Sequence, residues 1–158
     1  DVEIISDPET GGVYNRVATV TEKDREKVGS CITSQMTSID NALAEYDSEN
    51  YIFMKIDVEG YQHKVLQGCE LTFKRFEDIA LLVELNESSS QAYGFSVKAT
   101  LELLAAAGFR SNQILLGGIL KPIGFEDACH MASGRESVDI LFIKEGAVYG
   151  RRANFYAD

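Results

Sequence analysis

At residues 55–60 the chain reads Lys55-Ile56-Asp57-Val58-Glu59-Gly60, which sets two carboxylates and a glycine directly after an apolar segment. That segment, residues 51–56, is rich in β-branched and aromatic side chains and is apolar on both faces, as is typical of a strand in a covered parallel sheet. Apolar residues then recur at spacings of three and four, which predicts a helix over residues 61–76; they are Tyr61, Val65, Leu66, Cys69, Phe73 and Phe76. Open α/β sheets bind ligands beyond the carboxyl ends of their strands, so this strand-to-helix turn is a candidate site.

The rest of the chain predicts alternating strands and helices. Ser38 and Ser96 are expected to cap helices, and Gly108 is expected to end the second one, whose inward side carries Val97, Leu101, Leu104 and Ala105. Strands are expected at residues 2–5, 79–85 and 137–144, an extended segment at 31–37, a turn at 7–12, a loop at 19–29, and a hairpin turning at Gly117-Gly118. We expect strands 51–56 and 79–85 to be parallel neighbours joined by a right-handed crossover, and 137–144 to lie antiparallel to them.

Three motifs follow one another in order: Thr37-Ser38-Ile39-Asp40, the run from Lys55 to Cys69, and Leu81-Leu82-Val83-Glu84-Leu85-Asn86. Together they resemble the FkbM family of S-adenosylmethionine-dependent methyltransferases. The resemblance is dense over residues 36–86 and extends more weakly to residue 145.

The resemblance implies an α/β fold of the class I methyltransferase type, a Rossmann-like sheet with parallel strands and an antiparallel final strand. It also implies S-adenosylmethionine as cofactor and O-methylation of a hydroxyl on a sugar or small natural product. A site for such a cofactor normally opens with a strand, a glycine-rich turn and a helix, and the 13 glycines of this chain do not form that pattern. We therefore interpret residues 1–158 as a single partial domain, the C-terminal half, without the glycine-rich cofactor half.

Three acids are candidates for the chemistry. Asp57 is our choice for the general base toward the acceptor, or for a metal-binding carboxylate, although no metal site is assigned. Glu59 is expected to bind the acceptor or to tune Asp57, and Glu84, at the end of the neighbouring strand, is expected to reach the same crevice. His63 is an alternative base, or else a surface residue of the helix. The structural alternative is that Asp57 and Glu59 only stabilise the N-terminus of the following helix.

Composition narrows the class of protein. A formal net charge of −10 disfavours nucleic acid and anionic membrane surfaces, and no apolar run approaches the roughly 20 residues that span a bilayer. The N-terminus carries no signal-peptide pattern. The three cysteines are widely spaced, which favours the cytoplasm or another reducing compartment. Cys129 and His130, placed in a loop before the last strand, have no partner at ligand spacing, so we do not assign them a nucleophilic or metal role.

Two expectations concern partners. The acceptor should be a small molecule or a glycan. Strand 51–56 would lack its neighbour from the cofactor half, which leaves three outcomes for its exposed edge: a local segment such as residues 2–5 or 31–37 covers it, a second copy pairs with it by self-association, or the chain aggregates. The rival hypothesis is a non-catalytic structural or interaction module derived from the methyltransferase fold.

Overall fold

The computed structural model describes residues 2–6, 15–17, 30–134 and 136–147, which fall into two compact units, Asp1–Thr37 and Ser38–Asp158. The first unit contains three antiparallel strands, β1 (Val2–Ser6), β2 (Asn15–Val17) and β3 (Ser30–Ser34), in the order β2-β1-β3. The strand expected at residues 2–5 is confirmed, and the extended segment expected at 31–37 corresponds to β3. The turn expected at 7–12 and the loop at 19–29 lie outside the described residues.

The second unit contains the site. In chain order its described elements are α1 (Ile39–Ala42), β4 (Ile52–Ile56), α2 (Gln62–Gln67), α3 (Glu70–Arg75), β5 (Ile79–Leu85), α4 (Glu87–Ala92), α5 (Val97–Ala106), β6 (Phe109–Ile114), a 3₁₀ turn (Leu116–Gly118), β7 (Leu120–Pro122), α6 (Phe125–Ala132) and β8 (Val138–Lys144).

Five of these strands form one mixed sheet in the order β4-β5-β8-β6-β7. β4 and β5 are parallel, with Ile52 beside Ile79 and Ile56 beside Val83. β8 lies between β5 and β6 and is antiparallel to both, and β6 and β7 form the expected hairpin. The predicted parallel pair and antiparallel last strand are therefore confirmed. The other described pairs of this sheet are antiparallel, so the expectation of parallel strands holds for β4 and β5 and not for the remaining pairs. The handedness of the crossover stays a prediction.

The main core lies on one face of this sheet. Buried side chains of β4, β5 and β8 pack there against residues of α2, α3, α5 and α6, among them Leu66, Phe73, Leu101, Leu104 and Ala128. The opposite face has a smaller cluster, built from Ala80, Ile143 and Ala147 with Leu120 and Leu141 beside them, to which the described helices contribute nothing. The described helices that contribute apolar residues to the main core therefore lie on one face of the sheet.

The predicted helix over 61–76 is divided into α2 and α3 at Gly68 and Cys69, which is a correction. The reason is Asp40, whose backbone amide donates to the Gly68 carbonyl at 2.9 Å. Its carboxylate accepts from the backbone amides of Leu71 and Thr72, at 3.1 and 2.7 Å. These are the free amides of a helix N-terminus, so a new helix begins there.

Other local expectations have mixed outcomes. Ser38 and Ser96 do cap helices through their hydroxyls, and Gly108, with φ +84°, does end α5. Ala105 is exposed rather than inward. Cys129 and His130 lie in helix α6 rather than in a loop, because the buried face of α6 is built from the small residues Ala128 and Ala132, which give little apolar periodicity.

β4 departs from the expectation of a strand that is covered on both faces. It stands at the end of the sheet order, with β5 as its neighbour among the described strands. Ile56 is buried, but Phe53 is 62% exposed, and Tyr51, just before the strand, is 69% exposed. Within the described residues, none of the helices has the length and apolarity needed to cross a membrane.

Candidate active site

The three acids singled out in the sequence lie together. β4 and β5 are parallel, so their carboxyl ends meet at one edge of the sheet, where Asp57 and Glu59 follow β4 and Glu84 is near the end of β5. One carboxylate oxygen from each lies within 4.8 Å of the others. Asp57 is exposed, and Glu59 and Glu84 are half-buried. This end of the sheet therefore places three carboxylates, each at least partly exposed, close enough together to contact one small bound molecule.

The turn that carries Asp57 and Glu59 has an unusual backbone. Glu59 has φ +51° and Gly60 has φ +100°, both in the left-handed region that L side chains avoid. A Cβ at Gly60 would lie 2.2 Å from the carbonyl oxygen of Ser89 in α4. Gly60 thus lets the turn close against α4, as expected from the sequence, and this contact fixes where Glu59 is presented.

Lys55 controls the charge on Asp57. Its Nζ donates to Asp57 Oδ2 at 2.7 Å, and this hydrogen bond lowers the pKa of Asp57 even though burial opposes the shift. Burial, followed by the charge of Asp57, raises the pKa of Glu84 to about 7. When Glu84 is protonated it can donate to Asp57, so the pair favours one ionised and one neutral carboxyl group.

Sequence reasoning missed Lys55 and Asp139. Residues i and i+2 of a strand share a face, so the pairing of Lys55 with Asp57 was readable from their spacing. Asp139 of β8 stands directly opposite Glu84 and adds to the charge that raises the pKa of Glu84. That contact depends on the order of strands in the sheet, which no local pattern in the sequence gives.

His63 is buried instead of lying on the helix surface, and it is separate from the three acids in the cluster. Its Nδ1 lies 3.2 Å from the Thr100 hydroxyl, its Nε2 lies 3.3 Å from the Gln67 amide, and its ring stacks on Phe95 at 4.3 Å. Burial lowers its pKa. These contacts give His63 a packing role between α2 and α5, and the role of alternative base has no geometric support.

The family model for the methyltransferase FkbM domain matches residues 5–111, more than half of the chain. The chain belongs to the FkbM methyltransferase family. The matched range contains Asp57, Glu59 and Glu84. No curated protein and no solved structure matches the chain.

The FkbM family is one of methyltransferases, which in general use S-adenosylmethionine, and the turn at Gly60 does not offer the open glycine that such a cofactor needs. A glycine that cradles a cofactor leaves open space where its side chain would be. At Gly60 that space is filled by Ser89. Gly60 is therefore a packing glycine, and we derive no step through a cofactor bound at this turn.

The three acids are also the kind of ligands that hard divalent cations prefer. One oxygen from each lies close enough to the others to share an ion. Acids that gather at a surface often do so without a metal, and Lys55 already neutralises Asp57. We assign no metal to this cluster.

Proposed function

We propose that this FkbM-family chain forms the acceptor side of an S-adenosylmethionine-dependent O-methyltransferase that acts on a hydroxyl of a sugar or small natural product. The observation that carries the proposal is the meeting of Asp57, Glu59 and Glu84 at the carboxyl end of the parallel strands β4 and β5. A small polyol or glycan offers hydroxyl groups that such carboxylates can bind as acceptors of hydrogen bonds.

Asp57 is the general base in this proposal. Transfer of a methyl group to a hydroxyl requires that the hydroxyl lose its proton, and a carboxylate in hydrogen-bond reach can take it. Lys55 keeps Asp57 ionised and holds its carboxylate in place through Oδ2. Glu84, with a pKa of about 7, can in its ionised form take over the proton that Asp57 removes from the hydroxyl, and Glu59 orients the acceptor. S-adenosylmethionine would supply the methyl group from a site outside the described residues.

The proposal also concerns the fold: the described sheet would be one half of a class I methyltransferase sheet. The order β4-β5-β8-β6-β7, with antiparallel β8 between two other strands, supports it. The exposed Phe53 and the helix-free cluster around Ala80 and Ile143 also support it, since a second α/β half would cover the edge and the open face. Residues 1–158 would then be a partial domain in a reducing compartment.

The second candidate is a non-catalytic interaction module. The position of β4 at the end of the sheet order among the described strands favours it, because a strand edge without a partner is a ready template for another chain. In this case Asp57 and Glu59 would only hold the turn and the helix that follows.

The test compares the 158-residue chain with the full-length gene product. Isothermal titration of the 158-residue chain with S-adenosylmethionine should give no measurable heat, whereas the full-length product should bind it and show a raised melting temperature. Incubation of that product with hydroxyl-bearing sugars should then give methylated product by mass spectrometry. Micromolar binding to the 158 residues would show that the cofactor site is misplaced, and no binding to the full-length product would leave the interaction module.

A further inference from the structure

A concave site lies far from the three acids. It is an open cavity of about 700 Å³ lined by residues of α2, α3 and α5 and by the end of β8. Its apolar lining comes from Leu66, Phe73, Leu103, Ala106 and Ala107. Ligand sites span about 300 to 1,000 Å³. The volume of this cavity lies within that range.

The register of the sheet places this cavity at the end opposite to the candidate active site. Asp139 of β8 stands beside Glu84, and Ile143 stands beside Ala80 at the start of β5. Lys144, which lines the cavity, is five residues from Asp139, or about 17 Å along the strand at roughly 3.3 Å per residue. A ligand here would occupy a site of its own.

Lys144 is the polar group that gives this cavity its chemistry. Its Nζ donates to the carbonyl oxygens of Phe73 and Phe76 at the end of α3, the latter at 2.7 Å. An ammonium group has three N–H donors, so one is left for a ligand. The other cation of the lining, Lys74, is paired with Glu70 at 2.6 Å. Lys144 and Lys74 against Glu70 leave the lining with a net charge of +1, which favours an anion.

We propose that this cavity binds a small amphipathic carboxylate, with its apolar body against Leu66, Phe73 and Leu103 and its carboxylate accepting a hydrogen bond from Lys144. A neutral ligand of the same shape would lose the charge-assisted hydrogen bond, and a cationic one would meet the ammonium group of Lys144. A cavity with one available ammonium group and an apolar lining fits a ligand that has one carboxylate and one apolar body.

The test uses three probes that share an eight-carbon alkyl skeleton and differ in their polar end: octanoate, octanol and octylamine. Isothermal titration calorimetry should show saturable binding of octanoate that is at least about tenfold tighter than that of octanol, as one hydrogen bond to a charged group allows. Octylamine should bind more weakly than both. Absence of saturable octanoate binding, or octylamine binding as tight as octanoate, would overturn the proposal.

Two variants locate the binding. Ala106 and Ala105 are adjacent and both exposed on α5, but only Ala106 lines the cavity. Ala106→Phe should fill the cavity and weaken octanoate binding at least about tenfold, whereas Ala105→Phe should leave it within about twofold. Equal affinities in the two variants would contradict the site. Nuclear Overhauser contacts from octanoate methylenes to Leu103 and Phe73 in the unsubstituted protein give a readout that does not depend on how either variant folds, and their absence with octanoate bound would place the ligand elsewhere.

Discussion

The pKa values of Glu84 and Asp57 are shifted in opposite directions. Burial and the neighbouring Asp57 raise the pKa of Glu84 to about 7 from its ordinary 4.5, while Lys55 lowers that of Asp57 below 3.8. A carboxyl group whose pKa is higher in the folded chain stabilises the fold fully below its ordinary pKa, and this contribution is lost as the pH rises through about 7. Asp57 titrates below this window.

The free energy of unfolding should therefore fall between pH 5 and pH 8 by a component that Glu84→Gln removes, because glutamine resembles the protonated acid. Urea unfolding of both proteins across this range measures it, with the exposed Glu136→Gln as control. A constant difference between the Glu84→Gln and unsubstituted proteins at every pH would show that the pKa of Glu84 is not raised.

Gly60 tests the geometry of the turn. Alanine there must adopt φ +100° and place its Cβ 2.2 Å from the Ser89 carbonyl oxygen. Gly117 has φ +82° with open space around its missing Cβ, so Gly117→Ala carries the backbone strain alone. We expect Gly117→Ala to cost about 1 to 2 kcal/mol and Gly60→Ala at least about 2 kcal/mol more, measured by chemical denaturation. Equal costs would mean that the turn does not pack against α4.

The proximity of Asp57, Glu59 and Glu84 was predictable from the sequence for a physical reason. Parallel strands end at one edge, so acids that follow Ile56 and Val83 must meet. The burial of His63 was not predictable, because it depends on Phe95 and Thr100, which lie more than thirty residues away and come close only through helix packing.

Among the elements, the Asp40 side chain of α1 binds the N-terminus of α3. Both Asp40 oxygens are used: Oδ1 accepts from the Thr72 amide and hydroxyl at 2.7 Å, and Oδ2 accepts from the Leu71 amide at 3.1 Å. Although burial opposes it, these bonds lower the pKa of Asp40. Asp40 thus acts as the N-cap of a helix to which it does not belong.

Asp40→Ala should lower the free energy of unfolding by about 1 to 2 kcal/mol, because it leaves the first amides of α3 unpaired. The loss should shrink as the pH falls below the ordinary pKa of 3.8 and through the lowered pKa of native Asp40, since the native protein then loses this carboxylate as well. Glu45→Ala, at an exposed acid after α1, should change stability by less than about 0.5 kcal/mol. Chemical denaturation measures both variants, and equal losses of stability would show that Asp40 does not cap α3.

Elements with strong periodicity were predicted well, and short ones were not. β5 was predicted with its observed bounds, Ile79–Leu85, because all of its residues except Glu84 are apolar and most of them are buried. α4 reads Glu-Ser-Ser-Ser-Gln-Ala and has one buried residue, Ser90, so no apolar pattern marks it. The break between α2 and α3 depends on a carboxylate from α1, which local periodicity cannot reveal.

At the scale of the whole molecule, β4 stands at the end of the sheet among the described strands and carries an exposed aromatic side chain. Phe53 is 62% exposed in the strand. We expect the 158-residue chain to self-associate with concentration, and Phe53→Lys to reduce this, because a lysine on an edge strand opposes pairing. Leu71→Lys, at a residue 64% exposed on α3, is the matched control that should not. Light scattering after size exclusion measures both, and a monomer at every concentration would argue that the edge is covered.

The central claim is that Asp57 takes the proton of the acceptor hydroxyl. The most direct measurement is methyl transfer by the full-length gene product carrying Asp57→Asn, compared with Asp47→Asn, where asparagine replaces an exposed turn aspartate whose Oδ1 bond to the Glu49 amide it can keep. We predict that Asp57→Asn lowers turnover by about 100-fold or more while affinity for S-adenosylmethionine stays nearly unchanged, and that Asp47→Asn changes neither. Unchanged turnover in Asp57→Asn would contradict the account and leave Asp57 as a residue that only pairs with Lys55.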